Sequence, residues 1–244
     1  MRINSPKLNI MYKACMKASK SLIRDFGEIE NLQVSSKGPG DFVSSADTRT
    51  EKIIIEEILK AHPDHGILSE EVGKINQKNK TNRWIIDPID GTLNFLHGVP
   101  HFAISIAHRF KNEILSGLIF DPIKNEMFYA EKNNGAFFNN QRIRVSNKKN
   151  INDCLFGSNE KNIKNLSTRN FGSAALDMAY VGAGRFDGTF YKEVNVWDIA
   201  AGIIIIEEAG GVTNKIDLLS KSKINILAGS NAIYENMVKN LNNF

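Results

Sequence analysis

The sequence predicts an α+β protein, with an antiparallel sheet in its N-terminal half and alternating strands and helices in its C-terminal half. Three observations carry this. An amphipathic helix opens the chain, and strand-like runs then follow one another between Phe102 and Phe138 with only short turns between them. Beyond a polar stretch at Val145–Asp153 the pattern switches to strand–helix alternation. That stretch divides the 244 residues into a unit at 1–145 and a unit at 146–244.

The first helix is read from Leu8, Met11, Tyr12, Cys15, Ala18, Leu22 and Phe26, which recur at three- and four-residue steps, with Gly27 as its stop. Val34–Ser45, with Gly38-Pro39-Gly40, is a loop or a short hairpin. A second helix starts near Asp47 or Thr48, where Thr48-x-x-Glu51 fits a capping box, and ends at Pro63–Gly66. Strands are expected at Ile67–Glu70, Trp84–Ile86, Phe102–Arg109, Ile114–Phe120, Glu126–Ala130 and Ala136–Phe138. In the C-terminal unit, strands at Leu155–Gly157, Phe186–Phe190, Val212–Ile216 and Ile224–Ala228 alternate with helices at Ser173–Gly182, Trp197–Ala209 and from Asn231 onward. Ile203–Ile206 could alone be a strand, but its flanks WDIAAG and EEAGG favour a buried helix.

Composition bounds the function. With 42% hydrophobic and 24% charged residues the chain can bury a sizeable core. The net charge of +4 is spread over scattered lysines, including Lys74, Lys78 and Lys80 in a polar loop, with no aromatic interleaving of a nucleic-acid surface. Cys15 and Cys154 follow no metal-ligand spacing, and Cys15 falls on the first helix's apolar stripe, as a packed thiol in a reducing compartment would. No apolar run approaches membrane-spanning length and no signal core is present, so a cytoplasmic location is expected.

The chemistry concentrates in Trp84–Phe95, WIIDPIDGTLNF. A short apolar strand runs into Asp87 and Asp90, with Pro88 restricting the backbone and Gly91 permitting conformations closed to other residues. Upstream, Ile67-Leu68 delivers Glu70 and Glu71 in the same way. Carboxylates gathered near 4 Å repel by roughly 1 kcal/mol per pair in water and about 4 near a protein surface. A divalent cation among them removes that cost, and all-oxygen ligands favour Mg²⁺ or Mn²⁺ over Zn²⁺. The Glu pair alone reads better as a solvated acidic loop. His97 and His101 are spaced like a helical zinc pair, but Gly98 and Pro100 break the helix that spacing needs. Asp198 alone is more often an N-cap or first-turn residue than a ligand. Gly91-Thr92 and Gly172-Ser173-Ala174-Ala175 are helix starts that either receive an anion or pack closely on a neighbour. Together these features suit phosphate-ester hydrolysis, with a threonine beside a carboxylate to orient and deprotonate water.

These residues resemble those of the inositol monophosphatase family. Asp87-Pro88-Ile89-Asp90-Gly91-Thr92 with Asn94-Phe95 matches its central signature, Trp197-Asp198-Ile199-Ala200-Ala201-Gly202 its second, and Glu70-Glu71 lies at the expected distance upstream. The resemblance implies an α/β/α/β/α layered sandwich, usually dimeric, Mg²⁺-dependent and often Li⁺-sensitive, hydrolysing small sugar or polyol monophosphates such as inositol 1-phosphate. Fructose 1,6-bisphosphate, histidinol phosphate or 3′-phosphoadenosine nucleotides are alternative substrates. Some bacterial relatives bind the transcription machinery, which is the alternative role. By position, Glu70, Asp87, the Ile89 carbonyl, Asp90 and Asp198 should hold about two to three metals. Thr92 with Glu70 should activate water, with Asp47 bonded to Thr92. The N–H groups of Gly91 and Thr92 should hold phosphate, and Gly172, Ser173 and Ala174 should line the substrate ring. Two departures bear on the alcohol half of the substrate. Tyr191 stands where inositol-selective members commonly carry a glutamate, and the segment between Ser158 and Gly172 is shorter than usual.

Overall fold

Ser5 starts the first helix, α1 (Pro6–Gly27), by accepting from the Leu8 N–H, while Pro6 sits where no N–H is needed. A computed structural model describes residues 5–31, 34–38, 41–76, 79, 81–160, 163, 166–218 and 223–241, without the side chains of 31, 36–38 and 41–43. The stripe of Leu8, Met11, Cys15, Ala18 and Leu22 is buried as expected. Strands β1 (Val34–Gly38) and β2 (Asp41–Ser44) form a hairpin, which decides between hairpin and loop.

Helix α2 (Ser45–Ala61) begins earlier than the Thr48–Glu51 spacing suggests. Ser44 is the cap: its hydroxyl accepts from Ala46 and Asp47, and Asp47 reaches back to the Ser44 N–H in a capping box. Glu51 is thereby freed and falls on the buried face with Asp47, Ile54 and Ile58.

The N-terminal half then builds one eight-stranded sheet from β3 (Gly66–Ser69), β4 (Gly73–Ile75), β5 (Asn82–Asp90), β6 (Ala103–Phe110), β7 (Glu113–Asp121), β8 (Glu126–Glu131), β9 (Gly135–Phe138) and β10 (Gln141–Arg142). The order is β10-β9-β8-β7-β6-β5-β3-β4, and the short helix α3 (Thr92–Leu96) follows β5. Its pairings are antiparallel except β3 with β5. Because β4 folds back on the outer side of β3, the chain crosses to the inner side and lays β5 parallel to it. The C-terminal half contributes β11 (Leu155–Ser158), β12 (Ser167–Arg169), α4 (Ala174–Gly182), β13 (Gly188–Val194), α5 (Val196–Glu208), β14 (Gly211–Thr213), β15 (Ile224–Ser230) and α6 (Asn231–Asn240). Its strands form a five-stranded sheet, β12-β11-β13-β15-β14.

The layers follow from which faces are apolar. Helices α1 and α2 cover one face of the large sheet through Met11, Leu22, Ile54 and Ile58 against Trp84, Ile86 and Ile106. Helices α4 and α5, apolar on nearly all sides, fill the space between the two sheets, and α6 covers the outer face of the small one through Ile233 and Met237. This is the α/β/α/β/α sandwich. Ile203–Ile206 lie in α5, as their flanks indicated. Several strand boundaries differ from expectation, those of β13 and β14 among them. β13 starts at Gly188 because Asp187 turns the chain by accepting from the Leu155 N–H, and β14 stops at Thr213. In the short segment before Gly172, residues 161–162 and 164–165 lie outside the described residues, as do Lys78 and Lys80 of the polar loop.

Candidate metal centre and active site

Three chain segments bring carboxylates to one point. In a regular strand, Asp87 and Asp90 would point to opposite faces. Strand β5 instead carries a bulge: Asp87 pairs with Ser105 and Asp90 with Ala103, so three residues on β5 span two on β6. The extra residue turns both aspartates to the face that carries α5. Asp198 stands in the first turn of α5, and Glu70 follows directly on β3, where its N–H donates to the Ile86 carbonyl. Ligand oxygens of Asp87, Asp90 and Asp198 lie within 4.8 Å of one another. Among the described residues this is the one group of three or more such side chains so placed, and it holds no histidine.

Their electrostatics are those of crowded acids. Burial, and then the charges of Glu70, Asp90 and Asp198, push the Asp87 carboxyl well above the usual range. Burial lifts Asp90 to about 6, against hydrogen bonds from Ser173 and Ala175, and burial with the Asp90 charge lifts Asp198 to about 7. Two buried and one half-buried, mutually repelling, all-oxygen donors fit a hard divalent cation. Asp198 also proves to be the capping residue its position suggested, since its Oδ2 accepts from the Asn195 N–H at 2.8 Å. The cap leaves its carboxylate among the candidate ligand oxygens.

Beside the carboxylates, Thr92 Oγ1 lies 2.9 Å from the Ile89 carbonyl and 3.2 Å from Asp47 Oδ1. Asp47 is fully buried. Its other oxygen accepts from the Ser44 N–H and hydroxyl, and burial raises its carboxyl to about 6. Gly91, at φ +99°, caps α3. A Cβ there would meet the carbonyl oxygens of His101 and Gly172 at 3.1 and 3.2 Å, so only glycine lets those two segments close on the turn.

The start of α4 receives an anion, and that anion is Asp90. The Ala175 N–H donates to Asp90 Oδ2 at 2.8 Å and the Ser173 hydroxyl to the same oxygen. Ser173 has no exposed surface, so its side chain holds the Asp90 carboxylate from behind. Ala174 is also buried, while Gly172 stays at the surface. Tyr191 is buried, with its phenol donating to Asp177 Oδ2 at 2.6 Å.

Sequence reasoning missed three residues here. Glu51 accepts from the Ser69 hydroxyl and from the Glu71 and Val72 N–H groups, fixing the turn that carries Glu70; its place on the apolar stripe of α2 was the available signal. Asn94 donates to the carbonyls of His101 (2.8 Å) and Phe171 (2.6 Å), tying Gly172 to the Gly91 turn. Asp177 is a carboxylate inside an otherwise apolar helix.

The layered fold and this site define a phosphoric monoester hydrolase whose acidic cluster can bind metal. The chain belongs to the inositol monophosphatase family, whose model matches residues 4–242. A protein of Rhizobium meliloti named inositol-1-monophosphatase is 46% identical over 224 residues, covering 85% of this chain and 84% of its own length. One of Pasteurella multocida named Nus factor SuhB is 40% identical over 225 residues, covering 85% and 84%. Among solved structures, the extragenic suppressor protein suhB of Bartonella henselae superposes with a TM-score of 0.91 at 42% identity, covering 98% of this chain and 99% of that one.

Proposed function

We propose that this chain is a Mg²⁺-dependent phosphatase of small sugar or polyol monophosphates, of the inositol 1-phosphate kind. The observation that carries the reading is the meeting of Asp87, Asp90 and Asp198 within 4.8 Å, beside a threonine bonded to a buried aspartate. Glu70, Asp87, the Ile89 carbonyl, Asp90 and Asp198 would hold about two to three metal ions, with Mn²⁺ a substitute. Bound Mg²⁺ would neutralise the phosphate, acidify water and stabilise the departing alkoxide.

The chain's own groups supply the rest. With its proton donated to Asp47 rather than to the Ile89 carbonyl, Thr92 would offer a lone pair that accepts from the attacking water. Glu70 takes the proton that water loses. The Gly91 and Thr92 N–H groups hold the phosphate, and Gly172 and Tyr191 flank the alcohol. Asp90→Asn should abolish release of phosphate from inositol 1-phosphate while leaving the circular dichroism spectrum unchanged; near-normal turnover overturns the reading. A panel with fructose 1,6-bisphosphate, histidinol phosphate and 3′-phosphoadenosine nucleotides ranks the substrates, and millimolar Li⁺ should inhibit.

Pairing with a second copy is part of the proposal. Leu93, Val99 and Phe171 are exposed, and Asn94 draws the latter two together; a symmetric contact would cover them. Light scattering at twice 27.3 kDa tests it. The free thiols Cys15 and Cys154 suit a reducing compartment such as the cytoplasm. A second reading rests on the Pasteurella relative named a Nus factor. It predicts capture of RNA polymerase by the purified chain, with capture by Asp90→Asn separating that role from catalysis.

A further inference from the structure

At the end of β5 away from the acidic cluster, two arginines stand side by side. Arg83 on β5 and Arg109 on β6 are directly opposite in the antiparallel pairing, so both side chains leave the same face of the sheet. Ile85 and Ala107, two residues along each strand, put that face toward the core between the two sheets. Arg109 is 1% exposed and Arg83 is half-buried. Arg109 Nε and Nη1 and Arg83 Nε are all buried, and among the described residues none of the three has a hydrogen-bond partner. Burial and the Arg83 charge hold the Arg109 guanidinium below its ordinary value, against a pull from Asp217.

Left to itself, this pair works against folding. Like charges directly opposite one another in a sheet repel, and a buried guanidinium with unbonded N–H groups carries its full desolvation cost. The neighbouring strands bring no compensating charge, since Gly66 of β3 pairs with Arg83 and Ile114 of β7 with Arg109. Asp217 is exposed, and its pull leaves both buried Arg109 N–H atoms unbonded. An apolar pair would continue the core of Ile85 and Ala107 at no such cost. Two guanidinium forks suit an oxyanion instead: each presents parallel N–H donors at the spacing of two oxygens, and a tetrahedral anion has oxygens for both. Phe110, the next residue, is exposed beside the turn from β6 to β7, so the pair stands near the rim of the core rather than at its centre. Arg83 precedes Asp87 by four residues on β5, about 13 Å along a strand, so the acidic cluster lies well apart.

We propose that Arg83 and Arg109 form a binding site for a small tetrahedral oxyanion of the inorganic phosphate kind, separate from the metal centre. The proposal does not depend on the phosphatase reading, and turnover plays no part in its test. The full chain is titrated calorimetrically with inorganic phosphate in EDTA, where the carboxylate cluster, free of metal, repels the anion. Wild type should show a single saturable site, and Asp90→Asn should bind as wild type does. Arg109→Met and Arg83→Gln should each weaken binding at least about 10-fold, the scale of a hydrogen bond to a charged group. Arg83→Lys keeps the charge without the fork and should fall between. Sulfate should compete, whereas chloride at equal ionic strength should not. Absence of saturable binding in wild type overturns the proposal, as does undiminished binding in the two arginine variants or displacement by chloride. Loss of binding in Asp90→Asn would put the anion at the metal centre and overturn it too. Should Arg109→Met fail to fold, Arg83→Gln, at the half-buried position, decides alone.

Discussion

The Asn195 N–H donates to Asp198 Oδ2 at 2.8 Å, so one carboxylate both starts α5 and faces Asp87 and Asp90. Capping and candidate metal ligation therefore separate by substitution. Asp198→Asn keeps a cap acceptor without the charge and should fold normally while losing at least about 100-fold in kcat, the scale of removing a preorganised charge from a site. Asp198→Ala loses the cap as well and should cost about 1 kcal/mol more in urea unfolding. Equal stability of the two variants would argue against the cap.

Metal should stabilise the folded chain, because folding is what brings these carboxylates within 4.8 Å of one another. Binding at 100 times Kd adds about 2.7 kcal/mol. Melting temperature should rise with Mg²⁺ and not with Na⁺ at equal ionic strength. Asp90→Asn relieves repulsion and should melt higher than wild type without metal, yet gain little from Mg²⁺. Absence of any Mg²⁺ shift in wild type would mean that the cluster does not bind it.

Glu51 tests how the Glu70 turn is held. Glu51→Ala strands the Glu71 and Val72 N–H groups and leaves the Ser69 hydroxyl only the Ile86 carbonyl. It should cost about 2–3 kcal/mol and raise the Mg²⁺ concentration for half-maximal activity. Glu51→Gln, with one acceptor left, should fall between. Unchanged Mg²⁺ dependence in Glu51→Ala would confine Glu51 to a packing role.

A pH effect arises far from the site. His62 and His65 stack at 4.3 Å, His65 and His108 at 5.8 Å, the Trp84 indole donates to His65 Nδ1, and Lys7 lies 2.8 Å from His62. Burial and the Lys7 charge lower all three histidines, His65 to about 4 and His108 to about 3, against a small opposing pull from Asp64 on His65. Folded pKa values below the unfolded value of about 6.5 mean fewer protons bound in the folded state. Their stabilisation is complete above that pH and is lost as pH falls toward 4. With Mg²⁺ saturating, urea midpoints should drop from pH 7 to pH 5, and less so in His65→Phe, which keeps the stack. An equal drop in both would clear this cluster.

Much of this was legible locally. The α1 stripe, the run of antiparallel strands and the acidic turn after Trp84 are set by periodicity and by Pro88 and Gly91 within a few residues. The Thr48–Glu51 box failed because Ser44 and Asp47 make a better one a turn earlier, and two overlapping caps cannot be ranked by spacing.

The sequence alone determined which side chains are candidates for the chemistry and which elements bear them, since residue type and spacing act over one or two turns of chain. Tertiary structure decided that Asp87 and Asp90 share a face, through a bulge in register with β6, and that Asp198, about a hundred residues on, completes their cluster. It also gave Glu51 to the Glu70 turn and Asp177 to Tyr191. Those partnerships depend on sheet register and on helices packed between two sheets, long-range contacts that no local pattern encodes.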